Sequence, residues 1–442
     1  MVLSSAAEAC ISALTQAGYC AYAVGGCVRD ALLDLTPHDY DLCTNATPPQ
    51  ICQVFSDHSL VRSGEKHGTI GVVMDKEVLE ITTFRTEGGY RDSRHPDWVR
   101  FVPSVEEDLA RRDFTINAMA YSPSVGYVDP WGGKQDLHNK ILRAVGDPAT
   151  RFTEDALRIL RGVRFAVRFH LTPEGETAAA MTRLAPLMDN LARERVFDEL
   201  CKLLPLVTAK DLLDFSPVLT QVLPELALAV GFQQNSPHHL YDVFTHTAYV
   251  TESVPADLAL RWAALLHDVA KPAAYTEDET GRGHFYGHAQ RGAALAQDIL
   301  LRLKAPTALR ERIVFLIAHH MTPFQPDKKL LRRRLGQWGE EATRQLLVLQ
   351  KADFCSKGTG TPQEEGYFTQ IEAALAAVLA EDACLTVKDL AISGHDLLAL
   401  GIVPGPQVRQ ILAQLLQLVQ DEVLPNSRDA LLQQVHEATP HK

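Results

Sequence analysis

The stretch YAVGGCVRDALLDLTPHDYDL, residues 22–42, decides the fold of the N-terminal part of the chain. It predicts a short apolar strand over residues 22–24, a glycine pair, a short helix, and a second strand that carries Asp39 and Asp41. The glycine pair allows a tight turn and a close approach of the backbone to a ligand, where a Cβ atom would clash. Because the helix begins beside this turn, its free N–H groups and the positive end of its dipole can face phosphates.

Two carboxylates of this stretch are predicted to point in one direction. Side chains of a strand alternate between its faces, so Asp39 and Asp41 share one face and Tyr40 takes the other. Paired carboxylates are typical ligands of Mg²⁺, and a metal there predicts transfer chemistry at a nucleotide phosphate. An isolated D-x-D is most often a solvated loop, and a glycine pair before a helix is usually only a turn. Their combination in this order favours the metal site.

The composition is that of a globular protein with several domains. The 442 residues suffice for roughly two to four domains, and 46% hydrophobic and 22% charged residues are ordinary values. A net charge of −12 argues against a protein that coats nucleic acid non-specifically. It permits a protein that binds one structured RNA through local basic patches.

Cysteine usage and hydropathy indicate the compartment. The eight cysteines are scattered without a C-x-x-C pair, which predicts buried thiols in a reducing environment rather than disulfides or a zinc site. The sequence shows no basic-plus-apolar N-terminal signal and no apolar run near the ~18 residues that span a bilayer. We therefore expect a cytoplasmic protein without a membrane partner, and nothing indicates an obligatory protein partner.

A β-hairpin and a long loop are predicted after the D-x-D strand. Two β-branched runs joined by Asp75 and Lys76 predict the hairpin. Glu80 in its second strand could supply a third carboxylate to the metal, or it could face solvent as an ordinary strand residue. Residues 86–104 are polar and contain glycines, and a loop of this length is usually functional or disordered.

The segment EEDLARRDFTINAMAY, residues 106–121, predicts a helix that leads into a buried stretch. Arginine donates a rigid fork of hydrogen bonds that suits phosphate, so Arg112 could bind a triphosphate. Asp113 could bind a sugar hydroxyl or a base. A solvated helix end is the alternative for both residues.

The stretch TEDALRILRGVRFAVRF, residues 153–169, predicts a single helix with Thr153 as its N-cap. Four polar residues recur at every third position and wind along the helix as a ribbon: Asp155, Arg158, Arg161 and Arg164. Leucine and valine form a parallel apolar stripe. A helix that only had to be soluble would mix lysine and glutamate, whereas this one carries regularly spaced arginines and one acid.

An aspartate and an arginine on such a ribbon could read a nucleotide base. Aspartate accepts hydrogen bonds, whereas arginine donates them. Cytosine and adenine carry an exocyclic amine where uracil and guanine carry a carbonyl, so an Asp–Arg pair could accept C and A and reject U and G. From spacing alone, an ordinary salt-bridged helix is the alternative.

From about residue 170 onward the sequence predicts helices only, with a histidine-rich constellation between residues 236 and 353. Its members are His246, His267, Asp268, His288, His319, His320 and Asp353. Imidazole and carboxylate together suit Mn, Fe, Ni or Zn better than Mg alone. Residues 327–335, DKKLLRRRL, predict a basic helix that contacts RNA phosphates or, more commonly, forms a solvated face.

Three motifs carry a resemblance to a known family. GGCVRD with HDYDL, RRDFTINAMA, and EDALRILRGVRFAVRF resemble successive motifs of the bacterial class II tRNA nucleotidyltransferases, the CCA-adding enzymes and their poly(A) polymerase relatives. The LLHDVAKP region is similar to the HD domain that a subset of this family carries. The resemblance covers nearly the whole chain, and the motifs occur in order with sensible gaps.

The resemblance implies an α+β protein. An N-terminal nucleotidyltransferase-fold head with a mixed β-sheet would be followed by an all-α neck, an HD-containing body and a tail. The implied boundaries are 1–140 for the head, 141–225 for the neck, 226–360 for the body and 361–442 for the tail. The helical parts would hold tRNA, and the reaction would be addition of the 3′-terminal CCA from CTP and ATP with release of pyrophosphate.

The resemblance also implies roles for residues of the head. Asp39 and Asp41 would hold the Mg²⁺ ions that activate the tRNA 3′ hydroxyl and brace the leaving pyrophosphate. Gly26 and Arg29 would contact the triphosphate of the incoming CTP or ATP. Arg112 would add a further nucleotide contact.

Further roles are implied beyond the head. Asp155 and Arg158 would act as the protein template that pairs with C or A. The residues that would complete this nucleotide pocket are Arg161 and Arg164. The HD metal ligands, for a transition metal such as Ni, Mn, Fe or Co, would be His246, His267, Asp268 and Asp353, with His288 and His319 as additional candidates.

Three alternatives to full CCA addition stay open. The enzyme could add only A residues, although the polar 86–104 loop favours full addition because family members use that loop in switching from C to A. Its main activity could be HD phosphohydrolysis, which the complete glycine, arginine and carboxylate set of the head argues against as a sole role. A non-catalytic RNA-binding protein is the third alternative, and the retained carboxylates argue against it.

Overall fold

The computed structural model describes residues 1–88, 98–237, 239–359, 362–381 and 384–438. The chain divides into two compact units. The first unit comprises Met1–Val207, Asp214–Pro224 and Arg302–Lys304, and the second comprises Thr208–Leu213, Glu225–Leu301 and Ala305–Lys442. The four domain boundaries drawn from the sequence stay predictions.

A seven-stranded mixed sheet lies in the first unit. The strands up to residue 128 are β1 (Ala21–Val24), β2 (Asp41–Thr44), β3 (Ser59–Val61), β4 (Thr69–Met74), β5 (Glu77–Thr83), β6 (Arg85–Gly88), β7 (Trp98–Phe101), β8 (Ala120–Ser122) and β9 (Gly126–Val128). The sheet order is β3-β4-β5-β2-β1-β8-β9, in which β2 and β5 run parallel and the other neighbours run antiparallel. Because β2 has a neighbour on both sides, it lies in the interior of the sheet.

The strand that carries the D-x-D motif is shorter than predicted. Asp41 is the first residue of β2, and Asp39 and Tyr40 precede the strand. Pairing with β5 begins at Asp41, which lies opposite Glu80, and pairing with β1 begins at Leu42. The alternation argument therefore does not apply to Asp39, because the residues before Asp41 lie ahead of both ladders.

The predicted hairpin is confirmed as β4 and β5. Asp75 and Lys76 have φ angles of 50° and 69°, as the two central residues of a type I′ turn require. The predicted loop over residues 86–104 is partly a second antiparallel pair, formed by β6 and β7. Residues 89–97 of that loop lie outside the described residues.

Local capping signals explain several helix ends in the first half of the chain. Ser4 caps the first helix, and Thr47 is the N-cap of the third, where it forms a capping box with Gln50. The helices up to residue 222 are α1 (Ser5–Gln16), α2 (Gly26–Leu32), α3 (Pro48–Val54), α4 (Val105–Ala110), α5 (Gly133–His138), α6 (Pro148–Glu154), α7 (Leu157–Phe169), α8 (Gly175–Leu184), α9 (Arg193–Leu203), α10 (Ala209–Asp214) and α11 (Ser216–Val222).

The predicted single helix over residues 153–169 is two helices. Asp147 caps α6, so Thr153 lies inside that helix and its hydroxyl bonds the carbonyl of Ala149 at 2.8 Å. Asp155 has extended backbone angles, φ −145° and ψ 103°, and α7 starts after it. The N-cap assignment to Thr153 is therefore wrong, because the Asp147-Pro148 pair upstream supplies a stronger start.

The second half of the chain is helical apart from two-residue strands. Its helices are α12 (Val243–Ser253), α13 (Leu258–Leu266), α14 (Lys271–Ala274), α15 (His288–Arg302), α16 (Thr307–His319), α17 (Lys328–Cys355), α18 (Pro362–Ala380), α19 (Gly394–Ala399), α20 (Pro406–Gln420) and α21 (Arg428–Ala438). Helix α17 is kinked at Gly339, where φ is 79°. Among the described residues, no helix is long and apolar enough to cross a bilayer.

Two expectations for the region beyond residue 140 need correction. Short strands occur there, as β10 (Ile141–Leu142) pairs with β11 (Thr172–Pro173) and β12 (Thr276–Glu277) pairs with β13 (Gly283–His284). The basic segment 327–335 forms the start of α17, and it is not simply a solvated face. Arg332 is buried there and bonds Glu381 at 2.7 Å and Glu422 at 2.6 Å.

Candidate active site and metal centre

The glycine turn after β1 fits closely against an arginine. Gly25 has a φ of 76°, a conformation that residues with side chains rarely adopt, and its N–H bonds the carbonyl of Met119 at 3.0 Å. A Cβ atom at Gly25 would lie 2.7 Å from Nη1 of Arg112. The turn therefore needs glycine for its backbone and for its space, and it places the start of α2 beside Arg112.

A cavity of about 450 Å³ opens beside this turn, and charged side chains dominate its lining. All the predicted nucleotide-binding residues line it, namely Gly26, Arg29, Arg112, Asp155, Arg158, Arg161 and Arg164. Further lining residues include Asp41, Arg111, Asp113, Asn117, Arg168 and Arg195. Many guanidinium groups around one cavity favour an anionic ligand with several phosphate groups, because arginine binds phosphate through paired hydrogen bonds.

Of the two carboxylates of the D-x-D motif, Asp41 lines the cavity, whereas Asp39 is exposed and is not among its lining residues. Partial desolvation raises the pKa of Asp41, and the neighbouring Asp39 raises it further, whereas Arg112 opposes both effects. Glu80 lies opposite Asp41 on β5 and brings a third carboxylate to the same end of the sheet. Carboxylate oxygens are the ligands that Mg²⁺ prefers.

Asp113 anchors the arginine face of the cavity. Its Oδ2 accepts from Nε and Nη2 of Arg161 at 2.9 and 2.7 Å, and its Oδ1 accepts from the Asn117 amide at 3.0 Å and the Phe114 N–H at 2.9 Å. Burial alone would raise the pKa of Asp113, but Arg161 and Asn117 outweigh it and hold this pKa well below its usual range. The four donors use the acceptor capacity of the carboxylate, so Asp113 orients Arg161.

Arg29 is engaged by protein groups although it lines the cavity. Its guanidinium donates to Asp30 at 2.6 and 2.9 Å and to the Asn117 side chain at 2.5 Å. It also lies 4.4 Å from the ring centre of Phe169. Arg29 thus ties α2 to the end of α7, and its predicted contact with a triphosphate stays a prediction.

The two predicted template residues have separate partners. Asp155 accepts from Arg195 at 2.8 Å and from the Leu157 N–H at 3.0 Å. Arg158 donates to Glu154 at 2.6 Å and to the carbonyls of Arg151 and Arg111 at 3.1 Å. A carboxylate has about four acceptor positions and a guanidinium five donors. Within the described part of the chain, Asp155 thus keeps two acceptor positions and Arg158 two donors.

Arg164 has a structural partner as well as a position on the cavity. Its Nε lies 2.6 Å from Oε2 of Glu199 on α9, and both side chains are buried. The predicted ribbon on α7 is therefore held by acids from three other parts of the first unit: Asp113, Glu154 and Glu199. A sequence pattern could show the arginines and the nearby Glu154, but not the distant partners Asp113 and Glu199.

A second cluster lies in the second unit. Six buried side chains converge there: His246, His267, Asp268, His288, His320 and Asp353. Nε2 of His246 lies 3.0 Å from Oδ1 of Asp353, and Nε2 of His267 lies 3.1 Å from Oδ2 of Asp268. The structure thus brings together all four side chains that were predicted to bind the HD metal.

The cluster fits a metal ion on chemical grounds. Nε2 of His267 and Oδ2 of Asp268 are buried and have no hydrogen bond of normal geometry among the described residues, although Nζ of Lys271 forms an ion pair with that oxygen at 2.7 Å. Burial lowers the pKa of His320 to about 4, which keeps its imidazole neutral, whereas His267 has a raised pKa despite its burial because Asp268 favours the charged imidazole. Neutral imidazoles and buried carboxylates are ligands that divalent transition metals prefer.

Of the two adjacent histidines in the AHH motif, His319 was predicted as an additional metal ligand, but it is His320 that lies in the cluster. His320 is buried, and its Nε2 lies 3.2 Å from Nε2 of His288. His319 instead lies against the rings of Phe315 and Trp338, with ring centres 4.7 and 5.2 Å away. His319 ends α16, and the chain direction at a helix end decides which of two adjacent histidines faces inward.

Sequence reasoning missed several residues of the first cavity. Asn117 connects Arg29 to Asp113, and Arg195 holds Asp155 from α9. The basic start of α9 was visible in the sequence, but nothing there indicated that it lies beside the break after α6. Asn117 lies four residues after Asp113, in the same RRDFTIN segment.

Comparisons with known proteins agree with this architecture. Residues 21–143 match the poly A polymerase head domain, residues 170–229 the probable RNA and SrmB-binding site of polymerase A, and residues 238–358 the HD domain. The chain is 34% identical over 425 residues to a CCA-adding enzyme of Levilactobacillus brevis, a match that covers 96% of this chain and 95% of that protein. It is also 34% identical over 428 residues to a CCA-adding enzyme of Lactiplantibacillus plantarum, over 97% and 94% of the two chains.

A solved structure matches over the same length. The Bacillus stearothermophilus CCA-adding enzyme, crystallised in complex with CTP, superposes with a TM-score of 0.72 at 27% identity and covers 98% of each chain. Head, RNA-binding and HD matches in this order define a nucleotidyltransferase of the poly A polymerase type. The chain belongs to the family of CCA-adding enzymes. The predicted family, fold class and enzyme class are confirmed, and both domain families imply dependence on divalent metal.

Proposed function

We propose that this protein completes the 3′-terminal CCA of tRNA from CTP and ATP without a nucleic-acid template, releasing pyrophosphate at each addition. The observation that carries the proposal is the arginine-lined cavity, in which Asp41 and the Asp155–Arg158 set occur together in a chain of the CCA-adding family. The relative crystallised with CTP supports a nucleotide ligand for this cavity.

Asp39 and Asp41 are proposed to hold Mg²⁺, with Glu80 as a third carboxylate at the same end of the sheet. The bound metal would neutralise charge on the transferred phosphoryl group and on the leaving pyrophosphate. Arg112 lies beside the glycine turn, and its Nε has no hydrogen bond among the described residues. We assign it to the triphosphate, together with the N–H groups at the start of α2.

Asp155 and Arg158 are proposed to select the base. Two open acceptor positions on Asp155 suit the exocyclic amine of cytosine or adenine, and two open donors on Arg158 suit the ring acceptors beside that amine. Uracil and guanine present a carbonyl where the amine would be, so they would face the Asp155 carboxylate with an acceptor. Arg161 and Arg164 complete the wall, with Asp113 and Glu199 fixing their directions.

Nucleotide incorporation tests this function. The purified protein is incubated with Mg²⁺ and three tRNA transcripts that end before CCA, after the first C, and after CC, with CTP and ATP supplied separately and together. Completion to CCA on all three transcripts is expected, and Asp41→Ala should abolish it. Extension of only the CC-ending transcript with ATP would identify an A-adding enzyme and contradict full CCA addition.

A second activity is proposed for the HD cluster. His267 and Asp268 are buried side by side with Nε2 and Oδ2 3.1 Å apart, and together with the neighbouring histidines they form an imidazole-rich set that suits Ni, Mn, Fe or Co. We assign it to hydrolysis of phosphomonoesters or cyclic phosphodiesters, in which water breaks a P–O bond and an alcohol is released. Replacing His267 and Asp268 by alanine should abolish this hydrolysis and spare nucleotide addition. Loss of both activities would contradict independent sites.

The partners follow from the proposed reaction. tRNA, CTP and ATP are the ligands, and the cytoplasm is the proposed location because tRNA maturation in bacteria occurs there. Binding of tRNA should weaken as salt is raised, with a slope set by a modest number of phosphate contacts. An affinity that is independent of salt would contradict this.

A further inference from the structure

Phe165 on α7 is the one aromatic residue among the described residues that line the nucleotide cavity. Its ring is buried, and three guanidinium groups lie over it. The distance from the central guanidinium carbon to the ring centre is 4.5 Å for Arg164, 5.3 Å for Arg161 and 5.4 Å for Arg29. A cation within about 6 Å of a ring centre is attracted by the negative face of the ring. Because all three arginines also line the cavity, one ring attracts three of its cations.

Each of these three guanidinium groups also has one carboxylate partner. The pairs are Arg29 with Asp30 at 2.6 Å, Arg161 with Asp113 at 2.7 Å and Arg164 with Glu199 at 2.6 Å. A carboxylate binds one edge of a planar guanidinium, which can still turn about those hydrogen bonds. The Phe165 ring restricts this turning because it attracts the guanidinium from another side. The acids therefore determine where the guanidinium groups lie, and the ring determines how they are oriented.

Their orientation is important because two of these arginines keep N–H groups for a ligand. A guanidinium has five N–H groups. Arg161 donates two of them to Asp113, and Arg164 donates one to Glu199. Neither arginine has a further hydrogen bond within the described part of the chain. The remaining N–H groups can therefore bind phosphate oxygens in the cavity, provided that they point into it.

The ring of Phe165 is itself unavailable for stacking on a nucleotide base. Only 4% of Phe165 is exposed, and the guanidinium groups lie over its ring. The ring of Phe114 meets it edge-on at 5.9 Å, and the ring of Phe169 lies nearly parallel to it at 6.2 Å. An influence of Phe165 on the nucleotide is therefore exerted through the arginines.

We propose that Phe165 is a positioning residue for nucleotide binding, whose ring keeps the three guanidinium groups in the directions in which they meet the phosphates of CTP and ATP. This inference rests on the nucleotide addition proposed above and adds to that function a residue that touches neither the base nor the metal. Because CTP and ATP carry the same triphosphate, the ring contributes equally to the binding of both.

The proposed role separates nucleotide affinity from base selection. The two proposed base-selecting residues are bound by other groups, since Asp155 pairs with Arg195 and Arg158 pairs with Glu154. Among the described residues, Arg158 does not lie over the Phe165 ring. A weaker ring should therefore raise KM for CTP and for ATP by the same factor. The ratio of kcat/KM for CTP and UTP should change by that common factor in both terms and so stay constant.

The experiment weakens the charge on the ring face and nearly preserves the size of the ring. Phenylalanine analogues with one, two and three ring fluorines are incorporated in place of Phe165 in the full-length protein, because each fluorine withdraws charge from the ring face. Addition of C and A to tRNA transcripts that lack them is then measured. KM for both nucleotides should rise with each fluorine, to about tenfold for three, while kcat stays constant. Competitive inhibition by inorganic triphosphate should weaken by the same factor, because this probe has no base.

The same analogues in place of Phe152 are the matched control. Phe152 is also buried and packs against the Phe114 ring at 6.3 Å, but no arginine or lysine among the described residues lies over its ring. KM should stay constant in this series. Phe165→Met keeps an apolar side chain without a ring, and its KM should be at least that of the trifluorinated protein.

Two results would overturn the positioning role while nucleotide addition by the wild type stands. One is a KM that is unchanged along the Phe165 series, and the other is an equal rise of KM in the Phe152 series. Absence of nucleotide addition by the wild-type protein would overturn the proposed function and this inference with it.

Discussion

Nη2 of Arg195 lies 2.8 Å from Oδ2 of Asp155, while the other oxygen of Asp155 accepts from the Leu157 N–H at 3.0 Å. Asp155 is the residue at which α6 ends. An arginine of α9 thus binds the carboxylate at the interruption between α6 and α7. Each oxygen of Asp155 therefore accepts one hydrogen bond from the protein. These two bonds fix the orientation of the carboxylate and so the directions of its remaining acceptor positions.

Arg195→Ala should weaken base selection more than it weakens folding. Hydrogen bonds to charged groups contribute about 1.5–3 kcal/mol, which corresponds to about a 10- to 100-fold loss if it falls on the discrimination between CTP and UTP. The measurement is the ratio of kcat/KM for CTP and UTP on a tRNA that lacks CCA. The matched control is Arg193→Ala on the same helix, because the Arg193 side chain donates to the carbonyl of Asp189. Equal ratios in wild type and Arg195→Ala would contradict the assignment.

Asp113→Asn should weaken the hydrogen bonds that hold the Arg161 guanidinium and should therefore raise KM for CTP and for ATP. The pKa of Asp113 is depressed in the folded protein, so its carboxylate stabilises the fold above its unfolded pKa of about 4, and this contribution is lost as pH falls towards the folded value. The difference in free energy of unfolding between wild type and Asp113→Asn should therefore be constant at neutral pH and shrink below about pH 4. Urea unfolding at a series of pH values measures it, and a difference that grows on acidification would contradict the argument.

Gly25→Ala should abolish nucleotide addition, because the new Cβ would lie 2.7 Å from Nη1 of Arg112. Gly18→Ala separates backbone strain from this clash. Gly18 also has a positive φ, 88°, but its Cβ would meet no described atom within 4 Å. Strain of this kind costs about 1–3 kcal/mol, so both variants should lose thermal stability. Only Gly25→Ala should lose nucleotide incorporation into tRNA. An equal loss of incorporation in Gly18→Ala would mean that backbone strain alone, and not the clash with Arg112, causes the loss.

Arg164→Leu should be strongly destabilising because it leaves Glu199 buried without its main partner. Breaking a buried ion pair from one side costs about 3–5 kcal/mol, whereas removing both partners is often nearly neutral. The double variant Arg164→Leu/Glu199→Leu should therefore be more stable than Arg164→Leu alone. Chemical denaturation of four proteins measures this: the wild type, Arg164→Leu, Glu199→Leu and the double variant. Additive losses in the double variant would show that the pair has no coupling.

The sequence predicted the head well because its signals are local. The glycine turn and the hairpin with Asp75 and Lys76 each depend on residues within a few positions, and both are present. The break at Asp155 was missed because the helical periodicity of residues 153–169 continues across it. Asp147-Pro148 upstream starts one helix, and the bonds of Asp155 to Arg195 and Leu157 stabilise the interruption.

The HD cluster could also be predicted only in part from the sequence. The spacing of histidines and aspartates was sufficient to predict a metal site, and the four predicted ligands lie together. The choice between His319 and His320 depends on where α16 ends, which spacing alone cannot decide. Likewise, the sequence could not show that four donors saturate Asp113. Two of these hydrogen bonds come from Arg161, which lies 48 residues further along the chain.

The kink at Gly339 has a mechanical meaning for the second unit. Before it, α17 carries Arg332 and its ion pairs with Glu381 and Glu422; after it, the same helix carries Asp353 of the HD cluster. A straight helix would behave as a stiff rod and pass a displacement at one end to the other. The non-helical backbone at Gly339 interrupts that rod, so the two parts of α17 do not share one continuous run of helical hydrogen bonds. We therefore expect substitutions at the ion-paired end to affect Asp353 less than they would in an unbroken helix.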